Sequence, residues 1–191
     1  MKRLVPAFVL ALALAGGSAQ AAPITGGFTE VTFDAAIAGL FDSVQPLGSA
    51  TQNGLTFTFP VTGGTTTPTI LIEHEGSGVG LKSDEPNRLD LLNFLIDVDQ
   101  LTVFGDVGFD GAAPVAFDVP LFGLVIGDSI RLALTEASAG ALNEYLGIVA
   151  PAGTEIATAN PQPKTVPEPG VLLLLGTGLA AMGLRIGRAR A

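Results

Sequence analysis

The chain has 191 residues, a net charge of −9 and no cysteine. Disulfides, Cys nucleophiles and Cys-ligated zinc are thereby excluded, and a single histidine leaves too few soft donors for a closed zinc cluster. The charge is uneven: between Ala22 and Val166 seventeen acids stand against four bases, a net −13, which repels nucleic acid and anionic lipid alike.

The N-terminus opens Met1-Lys2-Arg3, runs apolar from Leu4 to Ala15 and softens into Gly16-Gly17-Ser18-Ala19-Gln20-Ala21. A basic start, a short apolar core and small residues at Ala19 and Ala21 are the three parts of a cleavable signal peptide. Signal peptidase is expected to remove residues 1–21, cutting before Ala22.

Eight β-favouring runs follow, at 28–33, 55–59, 69–73, 89–96, 101–104, 115–119, 129–134 and 145–149, spaced by Gly, Pro, Asn and Asp. Short strands between turn signals predict an all-β passenger over residues 22–150, an antiparallel β-sandwich of jelly-roll or lectin-like kind. Its core is expected from Phe28, Phe33, Phe57, Phe59, Phe94, Phe104, Phe109, Phe117 and Phe122. Residues 137–143 lack alternation and predict one or two helical turns. Residues 151–165, with Pro151, Pro161 and Pro163, read as an extended Pro-rich spacer.

Few residues in the passenger offer catalytic chemistry. His74 would have to serve any Ser-His-Asp triad, no Gly-x-Ser-x-Gly elbow accompanies it, and it reads as a solvated strand-end or loop residue. Carboxylates come in pairs, but a glycosidase sets two across a cleft, with aromatic walls that a chain with one Tyr and no Trp hardly supplies. No enzyme activity and no obligatory cofactor are expected. Structural Ca²⁺ is the use these acids fit best, because hard cations take six to eight carboxylate and carbonyl oxygens from flexible loops. Asp97, Asp99, Asp106 and Asp110 are the candidate ligands, provided the fold brings them together; solvated loop acids are the plainer alternative.

The C-terminus carries a second apolar segment with different flanks. Val166-Pro167-Glu168-Pro169-Gly170 leads into an apolar, Gly-broken run over 171–184, followed by Arg185, Arg188 and Arg190. Three arginines and no acid place that end in the cytoplasm. Fourteen residues at the helical rise cover roughly 21 Å, less than the ~30 Å hydrocarbon core, so a single transmembrane helix here is marginal and suits a transient anchor.

Val-Pro-Glu-Pro at 166–169, a short Leu/Gly-rich helix and a terminal Arg cluster together resemble the PEP-CTERM sorting signal. The resemblance covers 165–191 and implies processing near Pro167-Glu168-Pro169 by exosortase, a membrane-embedded transpeptidase-like enzyme. It also implies release or attachment at the cell surface, often with extracellular polysaccharide. Inside the passenger, Gly76-Ser77-Gly78-Val79-Gly80-Leu81, Asp84-Glu85 and the strand bearing Asp90 are similar to a Gly-x-Gly turn, Asp-Glu pair and strand common in that family, with Pro86 standing where Ile is usual.

The organisation expected is therefore a signal peptide (1–21), a passenger (22–150), a spacer (151–165) and a sorting tail (166–191). The partners expected are signal peptidase, exosortase, the inner membrane before processing, and extracellular polysaccharide. A lectin-like Ca²⁺-dependent carbohydrate-binding module and a plain single-pass anchored protein are the alternatives.

Overall fold

The computed structural model describes residues 22–84 and 87–166. The expected signal helix, the expected transmembrane helix over 171–184, and the sorting and cleavage residues Ala19, Ala21, Pro167, Glu168, Pro169, Arg185, Arg188 and Arg190 lie outside them. Among the described residues no helix is long and apolar enough to cross a membrane.

Eleven strands make up the unit from Pro23 to Thr165. They are β1 (Ile24–Phe33), β2 (Ser43–Gly48), β3 (Thr51–Asn53), β4 (Thr56–Pro60), β5 (Gly63–Thr65), β6 (Leu71–Lys82), β7 (Leu89–Asp97), β8 (Thr102–Phe109), β9 (Ala116–Ile126), β10 (Ile130–Leu134) and β11 (Glu155–Thr165). Two helices, α1 (Ala35–Ala38) and α2 (Glu136–Leu146), interrupt them.

All pairings are antiparallel, and they join one sheet in the order β2-β6-β7-β8-β9-β10-β11-β1-β4-β3, with β5 on the side of β6. The expected sandwich is thus corrected to a single sheet curled into a nearly closed barrel. Curling lets one face bury itself without a second sheet. The two sides approach where β5 on β6 reaches Pro23 at the start of β1 through a bridge to Thr65.

Alternation explains most strands. In β4, Phe57 and Phe59 turn inward and Thr56 and Thr58 outward. In β1, Val31 and Phe33 are buried while Thr32 is exposed. Aromatic rings line up through the interior: Phe33 meets Phe57 edge-on with centroids 5.4 Å apart, and Phe59 meets Phe94 likewise at 5.3 Å. Such pairs add about 0.5–1.5 kcal/mol each beyond their burial. Phe122 completes the row, but Phe117 is 66% exposed and leaves the expected core.

Bulges break the alternation of β6 and β7. In β6 the inward residues are Ile72 and His74, then Val79 and Leu81, a change of phase. In β7 Leu89 and Leu91 point in, then Phe94 and Ile96. The register shifts between His74 and Gly78 and between Leu92 and Leu95 mark the extra residues. Asn93 sits in the left-handed region at φ 53°, which Asn tolerates better than most residues.

α2 is longer than expected. Thr135 caps it, its hydroxyl accepting from Ser138 N–H, and Gly147 ends it at φ 65°. Tyr145 and Leu146 therefore finish a helix rather than begin the strand expected at 145–149. Leu142 and Leu146 press into the barrel beside an apolar cavity of about 30 Å³ lined by Phe33, Leu89, Leu121, Leu134 and Ile156 among others.

The expected spacer is the largest correction. Residues 155–165 form β11, between β10 and β1, with Ile156, Ala157 and Ala159 buried. Small alanines fill the inward positions, and the prolines fall beyond Ala159, where the pairing with β10 has ended.

Candidate functional site

The barrel wall holds one polar seam. His74 is 2% exposed and Thr29 1%, so the histidine expected in solvent is buried. His74 shares the inward face of Ile72, and the bulge at Gly76 (φ 69°) changes the phase only for Val79 and Leu81 beyond it. A carbonyl only accepts, so the 2.9 Å contact of His74 Nδ1 with Pro60 O puts the hydrogen on Nδ1. In the neutral ring, Nε2 then accepts from the Thr29 hydroxyl at 3.1 Å. Burial pushes the His74 pKa down from its ordinary value, against the opposing backbone bonds of Pro60 and Phe59. β1, β4 and β6 are thus tied together by one neutral imidazole.

Outside the seam lies a groove of about 410 Å³ lined by Glu73, Glu75, Asn93, Asp106 and Asp118. Asp106 holds its floor. It accepts from Asn93 Nδ2 at 2.8 Å and from Asp118 N–H at 3.2 Å, and both partners sit at positive φ. Asn93 Oδ1 in turn accepts from Gly76 N–H at 2.8 Å. One carboxylate therefore fastens the left-handed residues of β7 and β9.

The four candidate calcium ligands are not gathered. Asp97 ends β7 and folds the following turn, taking Asp99 N–H and Gln100 N–H at 3.0 and 2.9 Å. Asp99 lies in that turn. Asp110 stands at the far end of the same hairpin, where Oδ1 accepts from Arg88 N–H at 2.9 Å, and Asp106 lies midway along β8. Among the described residues no group of three or more His, Asp or Glu is placed to hold a metal ion.

Asp90, on the strand singled out in the sequence, is fully buried. Arg88 grips it in a fork and Gly111 N–H donates to it at 2.6 Å, which pins the β8–β9 loop. The Arg88 pKa is raised, chiefly by its hydrogen bond to Asp90. The Gly76–Leu81 stretch expected as a turn is part of β6, with Gly80 packed against Arg88 and Asp90.

Of the sorting residues, Val166 is described, 46% exposed, immediately beyond the last residue of β11. A family model of the PEP-CTERM protein-sorting motif matches residues 165–189. This chain carries a PEP-CTERM sorting motif. That motif implies an exosortase substrate, exported and sorted to the cell surface. Its first matched residue, Thr165, is also the last residue of the barrel.

Two solved structures from Corynebacterium glutamicum share the fold. Heme binding protein HtaB aligns over 77% of this chain and 98% of its own, with 12% identity and a TM-score of 0.54. The N-terminal domain of HtaA aligns over 75% and 99%, with 13% identity and the same TM-score of 0.54. At such identities the likeness concerns the fold alone. No curated protein matches the chain.

Proposed function

We propose that this chain is a non-enzymatic surface or matrix protein whose barrel is the passenger of its sorting motif and contacts extracellular polysaccharide. The carrying observation is that the motif starts on the last residue of β11, so the whole barrel is delivered as one folded unit. Transient anchoring in the inner membrane, through 171–184 and the arginines at 185, 188 and 190, precedes release.

The wall around β1 supports the polysaccharide reading. Adjacent strands align outward-facing Arg131, Thr158, Thr32, Thr56 and Asn53 in one row, and Asn160, Glu30, Thr58 and Thr51 in the next. Hydroxyls, amides and single charges on one polar wall match the hydrogen-bonding groups of sugars without an aromatic platform. The histidine a triad would use is 2% exposed and has the Pro60 carbonyl rather than a carboxylate on Nδ1, which favours binding over catalysis. The haem named for HtaB is said of that protein, and at 12% identity it is not carried over to this chain.

The experiment is intact mass of the protein recovered from its native host, with surface fractionation. A mature form beginning near Ala22 and lacking the residues beyond about Pro169 supports the reading. Retention of 171–191 in the membrane fraction would make the protein a plain single-pass anchored one.

A further inference from the structure

The end of β11 differs from its beginning. Residues 155–159 lie between β10 and β1, but β10 stops at the pair Ile130–Ala159. From Asn160 to Thr165 the strand has one neighbour, β1, with Phe28 facing Gln162, Gly27 facing Pro163, Gly26 facing Lys164 and Ile24 facing Thr165. Its other edge has no partner strand among the described residues.

Several features weaken this stretch. Pro161 and Pro163 face Thr29 and Gly27, and Gly27 spends its carbonyl on Val61 N–H of the β4 side, so the prolines turn their missing N–H toward the open edge and bar any further strand from holding it. The register slips between Ile24 and Gly26. Gln162, Pro163, Lys164 and Thr165 are all exposed, so little apolar surface holds them. Gly27 allows the close backbone approach, since a Cβ there would lie 2.2 Å from the Gln162 carbonyl oxygen.

Between this ladder and Pro167 stands one residue, Val166. An enzyme that takes its substrate as an extended strand reads backbone groups on several successive residues, and the residues upstream of Pro167 are occupied with β1. We propose that Gln162–Thr165 is a detachable strand end, which leaves β1 and enters the cleft of the processing enzyme together with Pro167-Glu168-Pro169. The partner is an extended-peptide-binding enzyme, and its recognition surface on this chain begins upstream of the motif. Residues 155–159, held on both edges and by buried Ile156, Ala157 and Ala159, stay in the barrel as the strand end lifts. The proposal rests on the reading that the tail is processed.

The chain's lack of cysteine allows a direct test. Facing residues of an antiparallel pair lie within disulfide reach, so Phe28→Cys with Gln162→Cys would lock the strand end in an exported protein. Thr32→Cys with Thr158→Cys, also facing, locks the part that need not move. Processing of the full chain is read by mass in the native host, with and without a thiol reductant. The expected result is loss of the processed form in the oxidised 28/162 variant, recovery on reduction, and processing of the 32/158 variant like the parent. A Gly-Ser-Gly-Ser insertion after Thr165 should restore processing of the locked variant without reductant. Equal processing of the two oxidised variants overturns the proposal, as does failure of the insertion to rescue a folded, locked chain. A parent chain left uncut would instead overturn the sorting reading, and the detachable strand end with it.

Discussion

The Thr29 hydroxyl and His74 Nε2 lie 3.1 Å apart inside the wall, on β1 and β6, and complete the neutral state of an imidazole whose Nδ1 donates to Pro60 O. Protonation would place a charge where no carboxylate hydrogen-bonds the ring. The folded pKa is accordingly lowered from 6.5 by burial, so the unfolded chain takes up the proton first. Stability from this group is full above about pH 6.5 and falls as pH drops toward the folded value. Denaturant unfolding between pH 8 and 5 should show this decline, and His74→Gln should flatten it. An unchanged slope in the variant would refute the assignment.

Thr29→Val tests the same bond from the other side. It keeps the shape and leaves a buried acceptor unsatisfied, which costs about 1–3 kcal/mol. The urea midpoint should fall with no change in slope. A neutral result would mean that Nε2 finds another donor.

Asp90 accepts three hydrogen bonds, two from Arg88 and one from Gly111. Asp90→Ala strands a buried N–H and frees a guanidinium that is 22% exposed and so partly rehydrated. A loss of about 2–3 kcal/mol is expected in urea unfolding. Asp90→Asn keeps an acceptor and should lose less. If both variants matched the parent, the β8–β9 loop would be held by other contacts.

Alternation made Phe57, Phe59 and Phe33 legible in the sequence as inward residues, and capping chemistry explains why the helix around 137–143 runs to Leu146. The hidden parts share a cause. β11 buries Ala157 and Ala159, whose side chains are too small to mark a strand, and its prolines mimic a linker. In β6, the run is legible only as far as Glu73, so His74 reads as a solvated strand end, although the strand continues and His74 shares the inward face of Ile72. Barrel rather than sandwich was not legible, because it depends on the long-range pairing of β11 with β1 and on the bridge from Pro23 to Thr65. The acids expected to share calcium alternate along one hairpin, and nothing in their spacing tells that Asp97 and Asp110 stand at opposite ends.

That separation makes a calcium prediction. Asp97 is engaged by Asp99 N–H, Gln100 N–H and the Gln100 side chain, and Asp106 by Asn93 and Asp118. Removing divalent cations with a chelator should leave the thermal midpoint within about 1 °C, since a structural ion would contribute stability by linkage. A drop of several degrees, reversed by Ca²⁺ alone, would restore the ligand assignment.

The sorting tail is tested by separating recognition from anchoring. Pro167, Glu168 and Pro169 precede the apolar segment, whereas Arg185, Arg188 and Arg190 follow it, so the two groups fail differently. Changing all three of Pro167, Glu168 and Pro169 to Ala leaves the proposed membrane segment and its proposed orientation untouched. The passenger should then accumulate uncut in the membrane fraction with its outer face open to added protease. Changing the three arginines to Ser removes the charge proposed to hold the C-terminus inside, and should reduce the anchored, correctly oriented precursor itself. If the first variant were released like the parent, recognition would lie elsewhere in the tail.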